Sequence, residues 1–348
     1  MMDTPFFFAA ASFVMSIALG IPAALLAGRL GIMDMPGSAP HKQHARPTPL
    51  AGGILLVGVL GLVLVFRPST SREILFVLAG GLVIFGFGLW DDLRGLSAAP
   101  KLAGQLIASA ILLAAGVQVR FMTILFGGSL FAEALNIAIT FLWIVGITNA
   151  LNMIDSMDGI VAGIGSIACA FFMGASMFSS QSTLALWSAI LLGLSIGLYF
   201  WNGWFSRFFL GDSGAQTLGF LLASFGILYN PLDRSPESSW IVPIMLLGIP
   251  IFDTTLVVLS RFRRGQQIGS GRRDHTYHRL VAMKFSPRFA VLVVHLAAFA
   301  TSLLAFASLY LPPWLALVIF MAAILLGLAA LIWLERKPTL DESPHANH

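Results

Sequence analysis

The sequence predicts an all-α polytopic membrane protein of about eleven transmembrane helices, with the N-terminus outside and the C-terminus cytoplasmic. Three observations carry that prediction. Of the 348 residues, 57% are hydrophobic and 10% charged; a soluble domain carries about 25% charged residues, so water cannot be the main solvent. The apolar residues come in runs near the length a bilayer demands, about 20 residues each. The charges are confined to the short segments between those runs. The net charge of +4 does not point to nucleic acid, because the cations are scattered over loops and form no basic domain. The single cysteine, Cys169, can make no intramolecular disulfide and no thiolate metal cage, so packing is its expected role.

The first run, 5–28, lacks the basic start of a cleavable signal and reads as a retained helix. The others are expected at 50–66, 73–90, 101–117, 131–149, 159–178, 183–200, 214–230, 240–260, 288–310 and 313–334. Segment 118–130 is expected as a connection containing a short strand. No repeat or second domain is visible. The expectation is one transmembrane domain over 1–335 and a polar cytoplasmic tail over 336–348, ending in the disordered-looking PTLDESPHANH. Alternation of the spans puts loops 29–49, 91–100, 150–158, 201–213 and 261–287, plus the tail, on one side. With flanking Lys101 and Arg288, that side holds all of the 20 Lys and Arg except Arg67, Arg72, Arg120 and Arg234. The excess of cations marks it as cytoplasmic.

Three inward-running spans end at acidic motifs. FGFGLWDDLRGLS carries Asp91 and Asp92, TNALNMIDSMDG carries Asn149, Asn152, Asp155 and Asp158, and RFFLGDSGAQ carries Asp212. Alternation alone sends all five aspartates to one face. A carboxylate at the bilayer centre costs roughly 2.5–3.5 kcal/mol, so these groups belong at the interface or in a wet cavity. Each motif also precedes a helix, so any one could be a capping feature. Three motifs on one face, one of them a double aspartate, favour a shared divalent cation, and hard oxygen donors suit Mg²⁺ or Mn²⁺. The remaining inward loops bring cations: His41, Lys42, His44 and Arg46 in one, and Arg261 to Arg279 in SRFRRGQQIGSGRRDHTYHRL. Arg263 and Arg264 are explained by topology. His275 and His278, three residues apart beside Asp274, are not, because a neutral imidazole contributes little to orientation. Carboxylates with a metal, facing Arg, Lys and His, describe a site for a phosphorylated substrate.

In order, these motifs resemble those of the polyprenyl-phosphate N-acetylhexosamine-1-phosphate transferases. Residues 41–53 resemble that family's basic-His, Pro-Thr-Pro, Gly-Gly loop. Asp91, Asp92, Leu96, Ser97, Lys101 and Gln105 match its Asp-Asp motif, 149–163 its Asn-Asp-Gly-Asp-Gly motif, 210–219 its Gly-Asp-x-Gly motif, and PIFDTTLVVLSR the span before its last catalytic loop. Ser156, Ala215 and Tyr277 stand where the family commonly has glycine, serine and histidine.

The resemblance implies transfer of a HexNAc-1-phosphate, GlcNAc-1-phosphate first, from a UDP-sugar to undecaprenyl phosphate with release of UMP. It implies a bacterial inner-membrane enzyme that starts an envelope polysaccharide such as O-antigen, common antigen or a teichoic-acid linkage. Asp212, supported by Asp91, is expected to hold Mg²⁺, and Asp91 and Asp92 are the expected catalytic pair, with Asp92 orienting or deprotonating the lipid phosphate. Asn152, Asp155 and Asp158 are expected on nucleotide, sugar or metal. Lys101, His275, His278 and Arg279 are expected on phosphate or sugar oxygens, with Lys42 and His44 as further contacts and Asp253 as a supporting acid. The phospho-MurNAc-pentapeptide transferases are the related alternative; they typically have ten spans and a fuller histidine motif. A transporter would place ionisable groups near the midplane, and a CDP-alcohol phosphotransferase would hold its aspartates in one segment. Partners are then membrane lipid, undecaprenyl phosphate and UDP-sugar, without nucleic acid; a homodimer is left open.

Overall fold

The computed structural model describes residues 4–36, 46–67, 70–231, 239–267 and 273–340. All eleven apolar runs are helical. In chain order the helices are α1 (Pro5–Arg29), α2 (Gly52–Phe66), α3 (Arg72–Arg94), α4 (Ala98–Ala114), α5 (Phe121–Phe126), α6 (Leu130–Ile154), α7 (Ile160–Met177), α8 (Ser182–Tyr199), α9 (Gly211–Leu228), α10 (Ile241–Leu246), α11 (Gly248–Arg263), α12 (Thr276–Ala282), α13 (Pro287–Ser308) and α14 (Pro313–Glu335). A π-helical turn, Phe200–Trp204, extends α8. Seven of the described helices are long and apolar enough to cross a membrane: α1, α3, α6, α7, α8 with its extension, α13 and α14. Helices α2 and α4 are apolar but shorter.

Helix α9 is the hub, buried from Ser213 through Gly226 and packed against α2, α3 and α6. Its neighbours come close because they lack side chains at the contact: a Cβ on Gly88 of α3 would stand 2.6 Å from the Ser213 Cα. The outer helices turn large apolar side chains outward, including Phe6, Leu25, Leu296, Leu325 and Leu326. Such a coat is costly in water and favourable in lipid.

Three local departures from expectation have physical causes. Segment 118–130 holds the short helix α5 and no strand. The Asn136 side chain accepts from the Met122 N–H at 2.9 Å and donates to Thr123 Oγ1 at 2.8 Å, which fixes that turn against α6. The run 240–260 is broken at Leu247. Pro250 falls in the first turn of α11, where its missing N–H is tolerated. Thr339 and Leu340, expected in the polar tail, pack against the bundle. Thr339 is buried and the Leu340 N–H donates to the Arg273 carbonyl at 3.2 Å, while 341–348 lie outside the described residues. A two-stranded antiparallel ladder, β1 (Met33–Asp34) with β2 (Thr48–Pro49), joins α1 to α2. Just beyond it the Ala51 and Gly52 N–H groups donate to the Phe209 carbonyl at 3.1 and 3.2 Å, tying the start of α2 to the segment that leads into α9.

Candidate active site

Asp91 and Asp92 lie in the last turn of α3, which stops at Gly95 in the left-handed conformation, φ +66°. Adjacent on the helix, they point to different partners. Asp92 reaches across to α9. Its oxygens accept from the Asp212 N–H at 2.7 Å, the Ser213 N–H at 3.1 Å and the Ser213 hydroxyl at 2.6 Å. Leu210, at the N-cap position of α9, offers no side-chain oxygen, so Asp92 caps that helix from outside. Both oxygens being engaged, Asp92 anchors the backbone of Asp212 and the side chain of Ser213. The capping explanation is realised here across two helices.

Asp91 accepts from the Leu96 N–H and pairs with the Lys101 ammonium. Lys101, from the first turn of α4, also lies 2.5 Å from Asp212. One cation thus bridges carboxylates from α3 and α9. One turn further into the bundle, Gln105 and Asn149 exchange amide hydrogen bonds of 3.1 and 2.8 Å, and Gln105 also donates to Gln216. That network locks α4, α6 and α9 together beneath the charges.

The second acidic group lies at the end of α6 and the turn after it. Asn152 is half-buried in the last turn. Asp155 follows as the C-cap residue. Burial first, then the charges of Asp158 and Asp92, push its carboxyl up to about 8. Asp158 is exposed and accepts from the Ser206 hydroxyl at 2.7 Å. Asn202, in the π-turn, accepts from the Gly159 N–H at 2.8 Å and donates to the Phe208 carbonyl at 3.1 Å, holding this turn in place. The side chains of Ser206, Ser213 and Asn202 were not singled out from sequence; Ser213 follows Asp212 directly in RFFLGDSGAQ, which is the signal that could have found it.

The third group comprises Arg261 and residues 274–279, with Asp253 of α11. Arg261 holds Asp274 through a buried two-pronged ion pair of 2.9 and 2.8 Å. Burial acts to raise the Asp274 carboxyl, but Arg261 outweighs it and holds it below its ordinary value. His275 Nδ1 lies 2.7 Å from the buried Asp253 of α11. His278 is buried among ring neighbours with no hydrogen-bond partner for Nδ1, and burial, then the charge of His275, push its imidazole down to about 3. Tyr277 is fully buried. Burial, then the charges of Asp253, Asp155 and Asp274, push its phenol well above the ordinary range, which places the third group beside the second.

Arg279 departs from its expected substrate contact. It is fully buried and its guanidinium donates to the carbonyls of Asp274, Leu334 and Lys337, to Ser260 Oγ and to Glu335. It fastens α12 to α11 and α14 in place of binding substrate. Lys42 and His44 lie outside the described residues. A cavity of about 530 Å³ sits at the opposite end of the bundle, lined by Arg67, Ser71, Ser182 and Trp187, and contains none of these groups.

No three His, Cys, Asp or Glu side chains among the described residues form a ready-made metal cage. A magnesium ion does not require one, since it commonly binds one or two carboxylates, waters and the substrate's phosphates. Asp212, partly exposed at 30% of its side chain, with Asp91 as neighbour, fits that donor set.

The convergence of carboxylates and a lysine at one end of an apolar bundle suits a membrane-embedded transferase of phosphorylated groups, and comparison with known proteins shows that class. The chain belongs to one such family, glycosyl transferase family 4, whose model matches residues 74–230. It is similar, at 30% identity over 88% of this chain and 85% of the relative, to the probable undecaprenyl-phosphate N-acetylglucosaminyl 1-phosphate transferase of Bacillus subtilis. It is 30% identical, over 91% of this chain and 85% of the relative, to a decaprenyl-phosphate N-acetylglucosaminephosphotransferase of Mycobacterium tuberculosis. The undecaprenyl-phosphate alpha-N-acetylglucosaminyl 1-phosphate transferase of Escherichia coli K12 is 26% identical over 86% of this chain and 84% of its own length.

Proposed function

We propose that this chain transfers GlcNAc-1-phosphate from UDP-GlcNAc to undecaprenyl phosphate, releasing UMP, at the cytoplasmic face of a bacterial inner membrane. The observation that carries the reading is the meeting of Asp91, Asp92, Lys101 and Asp212, from three helices, at one end of an apolar bundle. The named relatives support the sugar and the lipid. The loop cations support eleven crossings with an external N-terminus and a cytoplasmic C-terminus, and seven of the described helices are long and apolar enough to cross.

In the reaction an oxygen of the lipid phosphate attacks the sugar-bearing phosphorus, and the bond from that phosphorus to the UMP oxygen breaks. A phosphate monoester is mostly dianionic at neutral pH, with a second pKa near 6, so the attacking oxygen needs no strong base. Magnesium held by Asp212 and Asp91 would supply neutralisation of diphosphate charge. Asp92 fixes the backbone of Asp212 and Ser213. Lys101 exchanges a carboxylate for a phosphate oxygen as substrate enters. Asn152, Asp155 and Asp158 offer oxygens to the nucleotide or sugar, and His275 covers the phosphates from above.

The test is UMP release by purified protein given undecaprenyl phosphate and a panel of UDP-sugars, with magnesium and with excess chelator. UDP-GlcNAc should be turned over fastest, and chelation or Asp212→Asn should abolish release. Full turnover under chelation, or preference for another UDP-sugar, would overturn the metal or the sugar assignment respectively.

A further inference from the structure

Asp253 is an anomaly in its helix. It sits in the second turn of α11, in the apolar run GIPIFDTTLVV, and has no solvent exposure. A carboxylate there persists only if both oxygens are engaged. They are: Oδ2 lies 2.7 Å from His275 Nδ1, and Oδ1 accepts the Thr276 N–H at 2.7 Å. Thr276 is the first residue of α12, and His275, at its N-cap position, makes no side-chain cap. One buried acid therefore fixes both the start of the short helix and the ring of the histidine before it.

The rest of the ring's surroundings agree. His275 lies parallel to the Tyr277 ring, 13° between planes with centroids 5.9 Å apart, and 5.8 Å from His278. Around this cluster stand Asp253 from α11, Asp274 with its partner Arg261, Arg273, and Asp155 from the end of α6. With Nδ1 turned to the Asp253 carboxylate, Nε2 is the ring nitrogen left to face a ligand.

We propose that Asp253 is a positioning residue for the transfer reaction: through Nδ1 it sets the orientation and tautomer of His275, so that Nε2 meets the substrate's phosphate oxygens. This rests on the functional reading above. Asp253 touches no substrate itself.

The experiment compares wild type, Asp253→Asn, His275→Ala and the double variant, purified in detergent, by steady-state UMP release. Thermal midpoint and size-exclusion profile are measured in parallel. Asp253→Asn keeps an acceptor for the Thr276 N–H and removes the charge behind the imidazole. Its kcat should fall by about 10–100-fold, by analogy with the loss of a group that orients a metal-ligating histidine, with little change in KM for the UDP-sugar. The double variant should be no slower than His275→Ala, because Asp253 acts through that ring. Additive losses in the double variant, an unchanged kcat in Asp253→Asn, or a loss matching the fraction of unfolded protein would each overturn the proposal. A wild-type protein that releases no UMP sinks the functional reading instead, which separates the two failures.

Discussion

Asp92 and Ser213 stand 121 positions apart in the chain, yet the Ser213 hydroxyl donates to the Asp92 carboxylate at 2.6 Å. Through that bond and two backbone N–H groups, the end of α3 caps the start of α9 and aims Asp212. Replacing Asp92 by Ala strands these donors, at a cost of about 1–3 kcal/mol. The thermal midpoint should drop and UMP release should be lost. Asp92→Asn retains one acceptor and should destabilise less. A wild-type midpoint for Asp92→Ala would show that the cap is not needed.

Lys101 separates two carboxylates that would otherwise face each other, Asp91 and Asp212. Removing its charge in Lys101→Met should slow turnover by about 10²-fold, the scale of losing one charge-stabilising donor. The same variant should take up magnesium at lower concentration, read as the metal-dependent rise in thermal midpoint. Tighter metal binding with unimpaired turnover would leave Lys101 no part in the chemistry.

Gly211 joins the Asp212 motif to the chain that precedes it, at φ +71°. A Cβ there would approach the Asp92 carboxylate oxygen to 2.7 Å. Gly211→Ala therefore meets both left-handed backbone strain, about 1–2 kcal/mol, and displacement of the capping acid. Activity should fall further than stability, since the Asp92 geometry is what moves. Normal activity in Gly211→Ala would contradict the close approach.

Asp155 gives the folded state a pH dependence. Its carboxyl, raised to about 8 from an ordinary 3.8, keeps its proton in the folded chain where the unfolded chain has lost it. Stability from this group is greatest at low pH and declines as pH rises through 8. The thermal midpoint should fall between about pH 4 and about pH 8 and level off above, and Asp155→Asn should flatten that slope. An identical slope in the variant would exclude Asp155 as its source.

The helices were readable because a lipid-facing segment must be apolar along most of its length, and runs such as 313–334 carry no competing signal. The gathering of acids was readable from alternation alone: three inward spans, three motifs, one face. What sequence could not show is which partner each side chain takes. Asp91 and Asp92 are neighbours in sequence with the same chemistry, yet their places on the helix send one to Lys101 and the other to Ser213. Arg279 looked like one more cation for phosphate, but every donor it has is absorbed by protein acceptors: Ser260 of α11, the Asp274 carbonyl before α12, Leu334 and Glu335 at the end of α14, and the Lys337 carbonyl just beyond it. The six-residue helix at Phe121–Phe126 was beyond a periodicity reading, because one and a half turns of apolar residues fit a strand equally well.

The carbonyls of Leu334 and Lys337 that receive Arg279 belong to the last turn of α14 and the residues just after it. The far end of the chain is thus a structural brace for the histidine-bearing segment. Shortening the protein at Glu335, or splicing a purification handle there, would take away a carbonyl acceptor from a guanidinium sealed inside the molecule. Handles belong beyond position 340 or at the opposite terminus.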